Sequence, residues 1–143
     1  MKTSHKDRNY FLSNKMLNQY HKELESVTKK KLLYLRSNLC VDDLSIAADI
    51  PVDYVKQVLS KKLNSTFFEF ISKYKIGKAK RLLTKIDDNH FSISNVAIGS
   101  GFNTDESFIA LFKKHTNLSP ENYRIKYFNI NPDSNNPVTD KAN

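Results

Sequence analysis

Tryptophan is absent from this chain, cysteine occurs once, and there are only three glycines and four prolines. The single thiol, Cys40, excludes an internal disulfide and is expected as a small buried or half-buried group near a helix end. The four histidines (His5, His21, His90 and His115) are scattered without metal-ligand spacing, so neither a metal nor a cofactor is expected. So little glycine and proline argues against a many-stranded sandwich or barrel and for long helices. No apolar run approaches the ~20 residues that span a bilayer. The basic start, Met1–Tyr10, is not followed by the apolar stretch of a secretory signal, so the cytoplasm is the default compartment. There is no paired nucleophile and base and no phosphate-cradling glycine loop, which disfavours an enzyme.

What is present is 143 residues, 39% of them hydrophobic, enough for one domain or two small ones. A chain of this size buries roughly two-thirds of its unfolded surface. The net charge of +8 is unevenly placed. Residues 1–40 carry +6, 41–51 carry −3, 52–86 carry +7 and 87–122 carry −3. A basic block between acidic ones suggests a cationic face built mainly from residues 52–86.

Apolar spacing reads as helix throughout. Leu12, Met16, Tyr20, Leu24, Val27 and then Leu32, Leu35 and Leu39 recur at helical spacing and predict a helix from about Tyr20, or an earlier start, to Ser37, with residues 1–19 read as an extension before it. A short helix follows from Val41, with Asp42 and Asp43 in its first turn, where they favour the dipole. Pro51 marks a break, after which Tyr54, Val55, Val58, Leu59 and Leu63 form a stripe opposite Lys56, Gln57, Lys61 and Lys62. Thr66 and Glu69 have capping-box spacing and open a long helix to about residue 86, ended by Asp87-Asp88-Asn89. Ser92 and Thr104 cap two more helices, and Ser119-Pro120-Glu121 starts a last one running to about Phe128. Residues 129–143, rich in Asn, Asp and Pro, read as a disordered tail. Phe67, Phe70, Phe102, Phe108, Phe112 and Tyr123 are the expected core.

The pattern repeats. With Leu44-Ser45 set on Val96-Ala97, Asp49-Ile50 falls on Gly101-Phe102 and Asp53 on Asp105. With one residue inserted, Val55 falls on Phe108, Val58-Leu59 on Leu111-Phe112, Asn64 on Asn117 and Thr66 on Ser119. Each unit is a short helix, a tight turn, a second helix and the start of a third, which is a helix-turn-helix layout. The turn needs a residue tolerant of a left-handed backbone, supplied by Gly101 in one unit and Asp49 in the other. The expected fold is all-α, with helix-turn-helix units at about 41–64 and 93–116, a linker helix at about 66–86 and a last helix at about 119–128.

Gly101-Phe102-Asn103, Phe108, Leu111-Phe112-Lys113-Lys114-His115, Leu118-Ser119-Pro120 and Tyr123-Arg124 together resemble the C-terminal signature of the AraC/XylS family of transcription regulators. Tyr54, Leu59, Leu63, Phe67, Tyr74-Lys75 and Ala79-Lys80-Arg81-Leu82-Leu83 fit the family's first half and linker helix. The resemblance covers about Leu32–Lys126. Asn117 stands where the family usually has glycine, Lys75 where it has arginine, Ser45 where it has alanine and Asp49 where it has glycine. Residues 33–58 resemble the subgroup often fused to a sensory or membrane-embedded region. Residues 1–31 are too few for a cupin-like sensor, so small-molecule control is not expected.

The resemblance implies a homeodomain-like fold with two recognition helices in successive major-groove segments of double-stranded DNA. It places base contacts at Asp53, Lys56 and Gln57 on the first helix, and at Asp105, Glu106, Ile109 and Ala110 on the second. Lysine donates to guanine, glutamine pairs with adenine and aspartate accepts from cytosine. Two acids and two apolar residues on the second helix are poor groups for a polyanion. The implied phosphate ligands are Lys61, Asn103, Thr104 and Lys113, with backbone N–H groups at Thr66 and Ser119. Lys62, Lys78 and Lys85 read as solvated cations that steer DNA approach. Two reading helices make a monomer sufficient, and the N-terminal helix offers a route to an oligomer. The resemblance favours an activator touching RNA polymerase. The competing reading is a protein-interaction module or coregulator with weakened DNA readout, suggested by the acidic second half.

Overall fold

Ser13 opens the first helix: its hydroxyl accepts from the Met16 N–H at 3.2 Å, and helix α1 runs over Asn14–Lys30. In this computed structural model residues 11–85 and 92–130 are described, and every regular element among them is helical. A 3-10 turn at Leu33–Leu35 precedes α2 (Val41–Ala48) and α3 (Val52–Gln57). The chain continues from α3 as a π-helical turn over Val58–Lys62, closed by a Leu63 N–H to Val58 carbonyl bond of 3.0 Å. Helices α4 (Phe67–Leu83), α5 (Ile93–Gly99), α6 (Asp105–Thr116) and α7 (Pro120–Ile130) follow. Among the described residues no helix is long and apolar enough to cross a membrane.

The described residues form two compact units, 11–33 with 38–70, and 34–37 with 71–85 and 92–130. Helix α4 begins in the first and passes into the second. In the first unit Leu17 and Leu24 of α1 are buried along with Leu44, Ile50, Val55, Val58, Leu59 and Phe70. The second unit is built on an aromatic file, Phe102 to Phe108 at 5.2 Å and Phe108 to Phe112 at 5.6 Å, with Tyr123 edge-on to Phe112 at 5.2 Å. Ile76, Ala79 and Leu83 of α4 pack into the same cluster. Truncating a fully buried phenylalanine such as Phe108 to alanine costs about 3–5 kcal/mol.

Several elements differ from their sequence expectation. Helix α1 takes the earlier start, at Asn14, because Ser13 supplies the cap, so the division drawn at residue 19 falls inside it. It stops at Lys30 rather than Ser37: Leu32 turns left-handed at φ +52°, which lets Leu33 and Tyr34 turn inward and become buried. Cys40 is exposed, not buried, and stands at the N-cap of α2, where the Asp43 carboxylate accepts from its N–H at 2.9 Å and its thiol at 3.2 Å. Phe67 and Tyr123 are half-buried, whereas Phe70, Phe102, Phe108 and Phe112 are buried. Helix α7 carries Asn129 and Ile130, which were expected in the tail. His5, Asp87-Asp88-Asn89, His90 and the rest of that tail lie outside the described residues.

Candidate nucleic-acid interface

The two turns are built alike, bond for bond. In the first, the Asp49 N–H donates to the Ile46 carbonyl at 3.2 Å and the Ile50 N–H to the Ser45 carbonyl at 3.1 Å. In the second, the Gly101 N–H donates to Ile98 at 3.1 Å and the Phe102 N–H to Ala97 at 2.9 Å. Asp49 and Gly101 both have positive φ, +59° and +91°. The repeat extends to the ends of the second helices, where Asn64 and Asn117 are left-handed at φ +48° and +63°. Asparagine tolerates that backbone, which accounts for Asn117 in place of glycine. Ser45, in place of alanine, donates its hydroxyl to the Ile50 carbonyl at 2.6 Å and so adds a bond across its turn.

The inserted residue lies in the turn, not in the helix. Pro51 is the N-cap of α3 and Thr104 that of α6, so Asn103 is the extra residue. This corrects one correspondence: Asp53 matches Glu106 rather than Asp105, whose counterpart is Val52. Lys56 then matches Ile109, and Gln57 matches Ala110.

On α3, Asp53 and Lys56 are exposed. Gln57 is half-buried, and its carboxamide Oε1 accepts the backbone N–H of Leu12 at 2.9 Å. Lys61 and Lys62, on the π-helical turn, are exposed, and the Lys61 ammonium lies 4.6 Å from the centroid of the Phe11 ring. The structure thus brings Gln57 and Lys61 against one short segment, Phe11–Leu12.

On α6 the acids have local partners. Thr104 caps the helix by accepting from the Ser107 N–H at 3.1 Å, and Asp105 and Glu106 occupy its first turn, where negative charge favours the dipole. The Asp105 carboxylate accepts the Ser94 hydroxyl of α5 at 2.6 Å and is half-buried. Glu106, Ile109 and Ala110 are exposed, and the first cations along the helix are Lys113 and Lys114. Asn103 and Lys113 are exposed, as a phosphate ligand must be.

The capping groups are already engaged. The Thr66 N–H donates to the Glu69 carboxylate at 3.0 Å while the Thr66 hydroxyl accepts from the Glu69 N–H at 3.0 Å, so the N–H assigned to a phosphate has a partner of its own. The Ser119 hydroxyl accepts from the Asn122 N–H at 3.1 Å. Lys75 is half-buried, and burial pulls its pKa below the ordinary lysine value. Its ammonium donates to the Gly101 carbonyl, which makes it a brace for the second turn.

Sequence reasoning counted Leu12 into a helical periodicity but missed what the Phe11–Leu12 segment touches. Its contacts reach across 45 positions in the chain, and no local periodicity carries such a pairing. A signal exists only in retrospect: an apolar pair immediately before a serine N-cap.

A family model described as a helix-turn-helix domain matches residues 44–126. The chain is 26% identical over 88 residues to an uncharacterized HTH-type transcriptional regulator, YtdP of Bacillus subtilis, covering 62% of this chain and 11% of that protein. It is 23% identical over 115 residues to the HTH-type transcriptional activator RhaR of Mannheimia succiniciproducens, covering 76% of this chain and 41% of that protein. Among solved structures, it shares the fold of the DNA-binding domain of AdpA, a global transcriptional factor in complex with a target DNA. The TM-score is 0.63 at 23% identity, over 77% of this chain and 96% of that one. The chain spans between 11% and 58% of the length of the first curated relatives it matches.

Proposed function

Because the chain belongs to the AraC/XylS family of helix-turn-helix domains, we propose that it binds double-stranded DNA sequence-specifically and regulates transcription. The observation that carries this reading is the turn chemistry. Two units repeat the same hydrogen bonds and left-handed residues, and each thereby presents a second helix with an exposed face. The first unit is the stronger reader. In it Asp53 and Lys56 are exposed on α3, with Lys61 and Lys62 following. Lys56 donates to guanine O6 or N7, Gln57 meets adenine, Asp53 accepts from a cytosine amine, and the flanking lysines neutralise phosphates.

The second unit reads weakly. The positions matching Lys56 and Gln57 hold Ile109 and Ala110, whose offer to a base is apolar contact with a thymine methyl. Glu106, exposed at the start of α6, repels the duplex. Asn103, Thr104 and Lys113 hold the backbone there, and the N–H at Ser119 does so at the start of α7, whereas that of Thr66 is taken up by the Glu69 carboxylate. A monomer with two reading helices suffices. The chain acts as an activator through RNA polymerase, a reading supported by its likeness to a protein named as an activator.

A second reading is favoured by the α6 face itself: Glu106, Ile109 and Ala110 suit a protein partner better than a phosphate backbone. One experiment separates the two. The purified chain selects from random duplexes, and the best binder is titrated with salt. The expected result is a site of roughly 15–20 base pairs, more sharply defined on one side, with a steep salt slope. Weak, salt-sensitive binding without any enriched sequence would replace this reading with the interaction module.

A further inference from the structure

We propose that the backbone N–H of Leu12 is a positioning group for base recognition by Gln57, so that the Phe11–Leu12 segment belongs to the first reading head. The inference rests on the assignment of α3 as a base-contacting helix. A glutamine side chain has several rotatable bonds and an amide that can present either its oxygen or its nitrogen to a base edge. Unrestrained, it reads acceptor and donor patterns with little preference. Here the Leu12 N–H donates to Oε1 at 2.9 Å, which fixes the orientation of the carboxamide at its oxygen end.

The segment is held firmly enough to do this. Leu12 is buried at 6% exposure, and the next residue, Ser13, caps α1 through a bond to the Met16 N–H. The Leu17 N–H also returns to the Ser13 carbonyl at 2.9 Å. A flap that DNA displaces would not be anchored on both its side chain and its cap. The neighbouring residue does parallel work on charge. Phe11, 67% exposed, lies under the Lys61 ammonium at 4.6 Å and restricts where that cation stands beside a phosphate. One dipeptide therefore orders both a base-directed amide and a backbone-directed cation.

The test removes the N–H and leaves every side chain in place. The chain has a single cysteine, Cys40, so a synthetic 1–39 peptide can be ligated to an expressed 40–143 fragment at the native sequence. One version carries an ester in place of the Phe11–Leu12 amide, which keeps every side chain and deletes one donor. An all-amide ligated chain is the control, and thermal melts show that both are folded. Each chain, together with Q57A, is scored on random duplex selection.

Q57A is expected to lose base preference at one pair of the site. The ester chain should select the same site with preference at that pair lowered about threefold to tenfold, the scale of one hydrogen bond, and other pairs unchanged. Uniform weakening, or an ester chain whose preference at that pair equals the control, would overturn the role of Leu12. If Q57A keeps every preference, the failure belongs instead to the assignment of Gln57 to a base. F11A supplies an independent arm: a shallower salt slope than the control is expected, and an unchanged slope would remove Phe11 from the reading head.

Discussion

The ammonium of Lys75, in α4, donates to the backbone carbonyl of Gly101, in the turn between α5 and α6, and stands 5.5 Å from the centroid of the Phe102 ring. Gly101 is enclosed on its other side as well. A Cβ placed on it would lie 2.5 Å from the Tyr34 carbonyl oxygen and 3.0 Å from the Leu35 Cα. The turn of the second unit is therefore clamped between a half-buried cation and a backbone segment.

Gly101→Ala is expected to be severe. It adds left-handed strain of about 1–2 kcal/mol to an overpacking cost of about 1–3 kcal/mol against backbone that cannot swing away. Asp49, at the matching place, is exposed, and Asp49→Gly should stay within about 0.5 kcal/mol of the parent because strain relief offsets chain entropy. Urea unfolding of the two variants checks the contrast, and similar losses from both would refute it.

Lys75 carries a pH signature. Burial holds its folded pKa below the ordinary 10.5 that it regains on unfolding. Below both values the cost of burying the charge is fully present. Between them the unfolded chain binds more protons, so this group's contribution to stability rises with pH. Lysine-labelled NMR should find the Lys75 titration below 10.5, and Lys75→Met should flatten the rise in stability across that window. A Lys75 titration at or above the ordinary value would contradict the assignment.

Ser100 is fully buried, and its hydroxyl has no hydrogen-bond partner among the described residues. The matching place in the first unit holds Ala48. Ser100→Ala removes an unsatisfied group and is expected to stabilise the protein by about 1 kcal/mol. That gain raises Tm by roughly 2–4 °C. A calorimetric Tm that falls would show that the hydroxyl is satisfied in solution.

The inequality of the two reading helices is testable by substitution. Lys56→Ala should weaken specific binding by about 1–3 kcal/mol and relax preference at one base pair. Glu106→Gln should tighten binding a few-fold at low salt, with the gain shrinking as salt is added. Equal losses from both variants, measured by anisotropy on the selected duplex, would sink the asymmetry.

Local chemistry made much of this fold readable. Ser92, Thr104 and Ser119 accept the N–H bonds that their spacing implies, and Thr66 and Glu69 close both arms of a capping box. Asp49 and Gly101 are left-handed as a helix-turn-helix turn demands. What escaped was set by phase or by distance. Apolar periodicity fits an insertion either before or inside a helix, so the match of Asp53 to Asp105 rather than Glu106 had no local arbiter. Leu32, Leu35 and Leu39 keep helical spacing through a stretch where the backbone reverses at Leu32. Asp105 reads as a groove residue by position, yet its carboxylate is held by Ser94 from another helix.

The wide turn over Val58–Lys62 has its own consequence. A π-helical turn accommodates one residue more than an α-helical one, so side chains along it drift in phase, by on the order of 100° at its end, from where a continuous α-helix would aim them. Lys61, near the end of the turn, rests beside Phe11 within that drift. Deleting one residue from this stretch would re-aim Lys61 without altering a single atom of it, so the turn acts as an angular offset inherited through chain length rather than through side-chain identity.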